Sequence, residues 1–177
     1  MKKLLITIFG STGDLTSRKL LPAISKLYQK HEIPEETMVI ALGRKPLNQE
    51  SYLDMMNDAA LKKLNINLLK SIVHYHQMEI TQKEDYQGLY DLIQQHSDED
   101  TKMLFYLAIG PELFPEVTKH INTTNLVQKG NLNQSIIFEK PFGHDLMSAK
   151  KINQMLWQYF DEKQIYRIDH YLGKEMI

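Results

Sequence analysis

The feature of this sequence that most constrains its fold is a regular alternation of short apolar runs with longer amphipathic stretches. The apolar runs are rich in β-branched and aromatic residues and predict strands at 3–9, 37–42, 72–77, 102–108, 134–138 and 165–168. The stretches between them repeat apolar residues at three- and four-residue steps and predict helices at 14–30, 49–63, 83–96, 113–126 and 145–159. Such repeats favour the α/β class, a doubly wound and mainly parallel sheet with helices on both faces.

Length and composition limit the number of domains and the classes of partner that this chain can have. At 177 residues, 42% of them hydrophobic, the chain can bury one sizeable core, so we expect a single domain over residues 1–177. The formal net charge of −1, without a long run of like charges, argues against nucleic acid or a membrane surface as a partner. No stretch approaches the ~20 apolar residues of a transmembrane helix. The absence of cysteine excludes disulfides and thiolate metal sites and fits a cytoplasmic protein.

A glycine turn joins the first predicted strand to the first predicted helix. Gly10 and Gly13 lie in the segment GSTGDL, directly after the apolar run that ends at Phe9. Glycine allows backbone torsions and a close approach that a side chain would block, so amides at the start of the helix can face a pyrophosphate. The spacing is Gly-x-x-Gly rather than Gly-x-Gly-x-x-Gly, yet its position predicts a Rossmann-like dinucleotide site.

Two cations follow the second predicted strand. In a dinucleotide-binding sheet this position faces the adenosine ribose, where an acidic residue would bind a free 2′-hydroxyl. Arg44 and Lys45 stand there instead. A guanidinium presents a planar fork that suits a 2′-phosphate, so the sequence favours NADP over NAD.

Two later strand ends carry further candidates. Lys140 immediately precedes Pro141 after the fifth predicted strand, and either isomer of that bond fixes the direction of the lysine. A lysine held there can bind a sugar hydroxyl and a coenzyme oxygen together. After the fourth strand, Gly110-Pro111 forms a turn that either passes near a nicotinamide or simply begins a helix.

The segment YRIDHYLGKE, residues 166–175, combines an acid with groups that can hold a phosphorylated sugar. Together with the glycine turn and the EKPFG segment at 139–143, in this order and spacing, it resembles the amino-terminal domain of glucose-6-phosphate dehydrogenases. The resemblance runs from the first strand to the last residue, although no motif matches between about 48 and 101.

The resemblance implies roles for individual residues. Lys19 and Lys140 would lie near glucose 6-phosphate, and Lys140 would also reach the coenzyme. The 6-phosphate would be held by His170, Tyr171 and Lys174. The 2′-phosphate would be bound by Arg44, with Lys45. The coenzyme turn would consist of Gly10, Ser11, Thr12, Gly13, Asp14 and Leu15.

The resemblance also implies a missing part. Asp169 would orient a histidine that removes the proton of the C1 hydroxyl as hydride leaves C1. That histidine is expected downstream of Ile177, in a second domain that also forms the interface of a homo-oligomer. We therefore interpret the chain as a truncated enzyme that binds coenzyme with little or no turnover.

Two other interpretations stay open at this point. A sugar oxidoreductase of the glucose-fructose oxidoreductase type also joins a Rossmann-like domain to a Lys-Pro turn, but leaves the segment 166–175 unexplained. A stand-alone NADPH-binding regulatory module would lack a catalytic domain altogether. His74 and His76 share one face of a predicted strand, but no third ligand is evident and no metal is expected.

Overall fold

Six parallel strands form one sheet in the computed structural model, which describes residues 2–60, 64–143 and 145–168. The strands are β1 (Lys3–Phe9), β2 (Glu36–Gly43), β3 (Val73–Gln77), β4 (Lys102–Leu107), β5 (Gln134–Glu139) and β6 (Ile165–Ile168). Their order across the sheet is β3-β2-β1-β4-β5-β6, and each neighbouring pair is parallel. The predicted α/β, Rossmann-like, doubly wound fold is confirmed.

Six helices cover the sheet in the described part of the chain. They are α1 (Leu21–Gln29), α2 (Gln49–Ala59), α3 (Ile66–Ile72), α4 (Asp85–His96), α5 (Phe114–Thr123) and α6 (Leu146–Tyr159). A π-helical turn, Thr16–Leu20, continues directly into α1, and short 3₁₀ turns at Pro111–Leu113 and Glu162–Gln164 precede α5 and β6. None of these helices has the length and apolar character needed to span a bilayer.

Successive side chains of β1 point to opposite faces of the sheet and build two separate cores. Leu5 and Phe9 pack on the face covered by α4, α5 and α6, together with Phe105 and Phe138. Leu4, Ile6 and Ile8 pack on the face covered by α1, α2 and α3. Burial of β1 on both faces accounts for the continuous apolar run that predicted this strand.

The structure corrects the sequence prediction between β2 and β3. The helix predicted at 49–63 ends at Ala59, and α3, which was not predicted, follows it. Two asparagine side chains bond to the backbone at this break. The Asn57 Oδ1 accepts from the Leu64 amide at 3.0 Å, and the Asn65 Oδ1 caps α3 by accepting from the Leu68 amide at 3.2 Å. The strand predicted from 72 accordingly begins at Val73.

The other predicted elements agree closely with the structure. The helix predicted at 14–30 contains the π-helical turn, which the sequence did not indicate. Asp145 caps α6 as expected, since its carboxylate accepts from the Ser148 amide at 2.7 Å.

Candidate functional site

An open cleft of about 250 Å³ lies where the carboxyl ends of β1 and β2 meet the segment that follows β3. The chain leaves β1 towards β2 on one side, whereas β4 lies on the other side of β1. Such a reversal of strand order opens a crevice at the carboxyl edge of a parallel sheet, where ligands of these folds bind. The cleft is lined by Gly10, Thr12, Leu42, Gly43, Arg44, Met78, Glu79, Ile80 and Leu113.

The first glycine of the turn is required by its backbone. Gly10 has φ +77°, and a Cβ built there would lie 2.5 Å from the carbonyl oxygen of Ala108. The turn is closed by a bond from the Gly13 amide to the Gly10 carbonyl at 3.1 Å, and the Ser11 amide donates to the Leu42 carbonyl at 2.9 Å. The turn therefore lies tight against the ends of β2 and β4.

A helical path begins immediately after the turn. Leu15 has helical torsions, and the amide of Thr16 donates to the Gly13 carbonyl at 3.1 Å. The exposed carboxylate of Asp14 lies 3.6 Å from the Arg18 guanidinium, one turn along. The amide of Thr12 makes no backbone hydrogen bond within the described part of the chain. Amides at the start of a helix carry partial positive charge and suit a bound anion.

Arg44 is the cation that the structure places in the cleft. It is exposed at the end of β2, and its carbonyl accepts from the Gln77 side chain at 3.4 Å. Lys45 lies next to it, but its ammonium is 3.6 Å from the sulfur of Met55 on α2. Of the two predicted cations, Arg44 lines the cleft.

The lining fits the adenosine half of a dinucleotide that carries a 2′-phosphate. The partly exposed side chains of Ile80 and Leu113 supply apolar surface for a flat base, whereas Leu42 and Met78 are buried in the core. The guanidinium of Arg44 supplies charge and paired donors for a phosphate. Gly13 is exposed, and a Cβ built there would meet only the Gly10 carbonyl oxygen, at 3.4 Å, so its backbone is open to the approach of a diphosphate.

Most of the apolar lining was missed by the sequence analysis. Met78, Glu79 and Ile80 follow β3, and Leu113 belongs to the 3₁₀ turn after Gly110. Their position in the sequence could have indicated them, because each of these residues follows the carboxyl end of a predicted strand near the reversal of strand order.

Lys140 occupies a second place at the carboxyl edge, at the end of β5. The Lys140–Pro141 bond is cis, one of the two isomers considered, and Lys140 is exposed. The preceding Glu139 is buried and accepts a hydrogen bond from the Tyr106 hydroxyl. Burial, followed by the bond to the Glu139 carboxylate and its charge, raises the pKa of Tyr106, so this phenol stays a donor.

The remaining predicted site residues divide into two groups. Lys19 is exposed on the π-helical turn, and Ser11 is buried in the glycine turn. The predicted acid, Asp169, and the residues predicted to hold the 6-phosphate lie outside the described residues, namely His170, Tyr171 and Lys174. Arg167, which precedes them, directs its guanidinium to Glu162 at 2.7 Å and Asn153 at 2.8 Å.

Neither His74 nor His76 of β3 is among the residues that line the cleft. The ring of His74 is 6.0 Å from that of His96, and burial, with a contribution from His96, lowers the pKa of His74. Within residues 2–60, 64–143 and 145–168, no three His, Asp or Glu side chains group as metal ligands would.

Comparison with known proteins decides the family. The model of the family described as "Glucose-6-phosphate dehydrogenase, NAD binding domain" matches residues 7–177. The chain belongs to the glucose-6-phosphate dehydrogenase family. This match and the curated relatives indicate a nicotinamide coenzyme, NADP, for the domain, and they favour this family over a sugar oxidoreductase of another type or a stand-alone module.

Individual relatives agree over nearly the whole chain. The glucose-6-phosphate 1-dehydrogenase of Bacillus subtilis (strain 168) is 39% identical over 180 residues, which cover 99% of this chain and 37% of that relative. A structure titled "Glucose-6-phosphate dehydrogenase in complex with its substrate glucose-6-phosphate" is 34% identical, with a TM-score of 0.85, over 98% of this chain and 38% of that one. The enzyme from Mycobacterium avium is 28% identical, with a TM-score of 0.82, over 97% of this chain and 36% of that one. The chain thus spans little more than a third of the length of these glucose-6-phosphate dehydrogenases.

Proposed function

We propose that this chain is the NADP-binding part of a glucose-6-phosphate dehydrogenase, which oxidises D-glucose 6-phosphate to 6-phospho-glucono-1,5-lactone in the first step of the pentose phosphate pathway. The observation that carries the proposal is that Arg44 lines the same cleft as Gly10 and Thr12 of the glycine turn. Because the chain spans 37% of the Bacillus subtilis relative, the reaction is proposed for the whole protein and coenzyme binding for this chain.

The coenzyme half of the proposal assigns the pyrophosphate to the glycine turn. Gly10 allows the tight turn and Gly13 allows the approach, and the Thr12 amide, which has no backbone partner in the described part of the chain, donates to a phosphate oxygen. Ser11 shapes the turn rather than donating to phosphate through its amide, because that amide already donates to the Leu42 carbonyl. Asp14 and Leu15 begin the helix whose partial positive charge faces the diphosphate.

The ribose phosphate is assigned to Arg44, with Lys45 as a second cation at longer range. A guanidinium can donate two parallel hydrogen bonds to phosphate oxygens and can stack on adenine. The neighbouring, partly exposed apolar residues Ile80 and Leu113 support a base in that position.

The substrate half of the proposal concerns the carboxyl ends of β5 and β6. Bound NADP supplies the hydride acceptor. Lys140 binds a sugar hydroxyl and a coenzyme oxygen, and Lys19 lies towards the sugar. The 6-phosphate is assigned to His170, Tyr171 and Lys174, and Asp169 orients the histidine that removes the C1 hydroxyl proton. Support for these roles comes from the family membership.

We further propose that residues 1–177 form one coenzyme domain of a cytoplasmic homo-oligomer, with neither nucleic acid nor membrane as a partner. Zero cysteines and a net charge of −1 support this location and these exclusions. The much greater length of the relatives leaves room for a further domain that supplies the subunit contacts.

The reaction is tested on the whole protein by following NADPH absorbance with glucose 6-phosphate, glucose or glucose 1-phosphate as substrate. NADPH formation that requires the 6-phosphate is the expected result. Equal rates with glucose, or formation of NADH but not NADPH, would contradict the proposal.

A further inference from the structure

Two tyrosines stack near the cleft, and each bonds to one of two segments that are proposed to bind phosphate. Tyr52 on α2 and Tyr75 on β3 have ring centroids 4.7 Å apart and planes inclined by 21°. Tyr52 is fully buried, and Tyr75 is half-buried. An offset stack of this kind fixes the two rings relative to each other.

The hydroxyls of the stacked pair reach different segments. Tyr52 Oη donates to the Ser11 carbonyl in the glycine turn at 3.3 Å. Tyr75 Oη donates to the Lys45 carbonyl at 2.7 Å, immediately after Arg44. Each ring therefore holds the backbone of one of the two segments that contribute to the cleft.

The space around the Tyr75 hydroxyl is filled. A Cβ built on Gly43 would lie 2.8 Å from Tyr75 Oη and 2.8 Å from the Thr12 methyl. Gln49 ties the backbone of β3 to α2, because its Oε1 accepts from the Tyr75 amide at 2.9 Å and its Nε2 donates to the Val73 carbonyl. Tyr75 is thus held between the end of β2 and α2.

Both phenols are protonated at neutral pH, as their roles as donors require. Burial raises the pKa of Tyr52, and partial burial raises that of Tyr75. Neither hydrogen bond is lost to ionisation in the range where a dehydrogenase of this family would work.

We propose that Tyr75 is a positioning residue for coenzyme specificity: by holding the Lys45 carbonyl, it sets the backbone from which Arg44 reaches the 2′-phosphate. Tyr52 positions the glycine turn and so affects both dinucleotides, since NADP and NAD share the pyrophosphate. This inference rests on the proposed function, because it assumes that the cleft holds a dinucleotide.

The test compares dissociation constants for NADP⁺ and NAD⁺ in three variants of the chain, each of which loses one phenolic hydroxyl. Tyr75→Phe keeps the stack and is expected to weaken NADP⁺ binding about fivefold, the effect of one lost hydrogen bond, with NAD⁺ binding unchanged. Tyr52→Phe is expected to weaken both equally. Tyr28→Phe is the matched control, because its hydroxyl donates to the Glu35 carbonyl at 3.1 Å, away from the cleft, and neither affinity should change.

A thermal melt of each variant accompanies the titrations, because a merely structural tyrosine would lower stability without changing the ratio of the two affinities. If Tyr75→Phe fails to fold, Gln77→Ala replaces it, since the Gln77 side chain donates to the Arg44 carbonyl at 3.4 Å. Loss of this hydrogen bond should lower the affinity for NADP⁺ relative to that for NAD⁺. An unchanged ratio in the folded variant overturns the inference while NADP⁺ binding by the unsubstituted chain still supports the proposed function. If the unsubstituted chain binds neither dinucleotide, both fail.

Discussion

Among single residues, Arg44 has the clearest proposed role, because it is the cationic residue among those that line the cleft. Replacement by alanine should weaken NADP⁺ binding by about 10- to 100-fold, the range for loss of charge-assisted hydrogen bonds, and leave NAD⁺ binding within about twofold. Arg44→Lys should give an intermediate value, because it retains the charge but loses the planar fork. Titrations of both variants with both dinucleotides provide the check, with Lys26→Ala on α1 as the exposed control. Equal losses for NADP⁺ and NAD⁺ would contradict the assignment.

The two glycines of the turn should respond differently to the same added methyl group. Gly10→Ala places a Cβ 2.5 Å from the Ala108 carbonyl oxygen at a positive φ, so it should lower the free energy of unfolding by at least about 2 kcal/mol. Gly13→Ala meets its nearest atom at 3.4 Å and should change that free energy by no more than about 0.5 kcal/mol. Urea denaturation of both variants measures the difference, and similar stabilities would show that the turn differs from the one described.

At the scale of elements, Gln164 joins the turn before β6 to the segment before β5. Its Nε2 lies within hydrogen-bond distance of three carbonyl oxygens, of Gln128 at 2.9 Å, Asn131 at 3.1 Å and Gln134 at 3.2 Å. Its Oε1 accepts from the Gly130 amide at 2.9 Å. Because the side chain is fully buried, Gln164→Ala leaves several backbone groups without partners.

We therefore expect Gln164→Ala to destabilise the protein by about 3 kcal/mol, as for loss of more than one buried hydrogen bond. Denaturant unfolding measures the loss, and Gln158→Ala on the exposed face of α6 serves as the matched control. A loss of similar size in both variants would mean that the network around Gln164 does not stabilise β5 and β6.

A second link joins the end of α6 to β6 and depends on pH. The carboxylate of Glu162 accepts from the Arg167 guanidinium and the Trp157 indole, at 2.7 Å and 2.6 Å, and these two bonds lower its pKa. A lowered folded-state pKa means that the stabilising contribution is present above the ordinary pKa of glutamate and is lost as the pH falls through the folded value.

Acid should therefore release Trp157, which is the single tryptophan of the chain. We expect a change in its fluorescence with a midpoint below the ordinary glutamate range, while far-ultraviolet circular dichroism still reports the folded chain. Glu162→Gln should abolish this step. Persistence of the step in that variant would assign it to another carboxylate.

For the molecule as a whole, the strands could be predicted because a strand that is buried on both faces has a continuous apolar run in its sequence, as in β1. The break between α2 and α3 could not be predicted, because it depends on hydrogen bonds from backbone amides to the side chains of Asn57 and Asn65. The π-helical turn Thr16–Leu20 left no sign in the spacing of apolar residues.

The candidate site likewise has features that could be predicted from the sequence and features that could not. The glycine turn and Arg44 could be predicted, because a backbone requirement and a charge are visible in the residue type. The stack of Tyr52 on Tyr75 could not, because it joins residues on α2 and β3 whose contact depends on how the helix lies against the sheet. The binding roles predicted for the glycine turn, Arg44 and Lys45 stay predictions, as do those of Lys19, Lys140 and the residues from Asp169 onward.

We propose that the carboxyl edge of this sheet binds NADP through Arg44 and the glycine turn. Calorimetric titration of the chain with NADP⁺ and, separately, NAD⁺ at matched ionic strength measures this binding. We predict saturable binding of both dinucleotides, with NADP⁺ tighter by about 10- to 100-fold through the contact of its 2′-phosphate with Arg44. Equal affinities, or no binding of either dinucleotide, would contradict the claim.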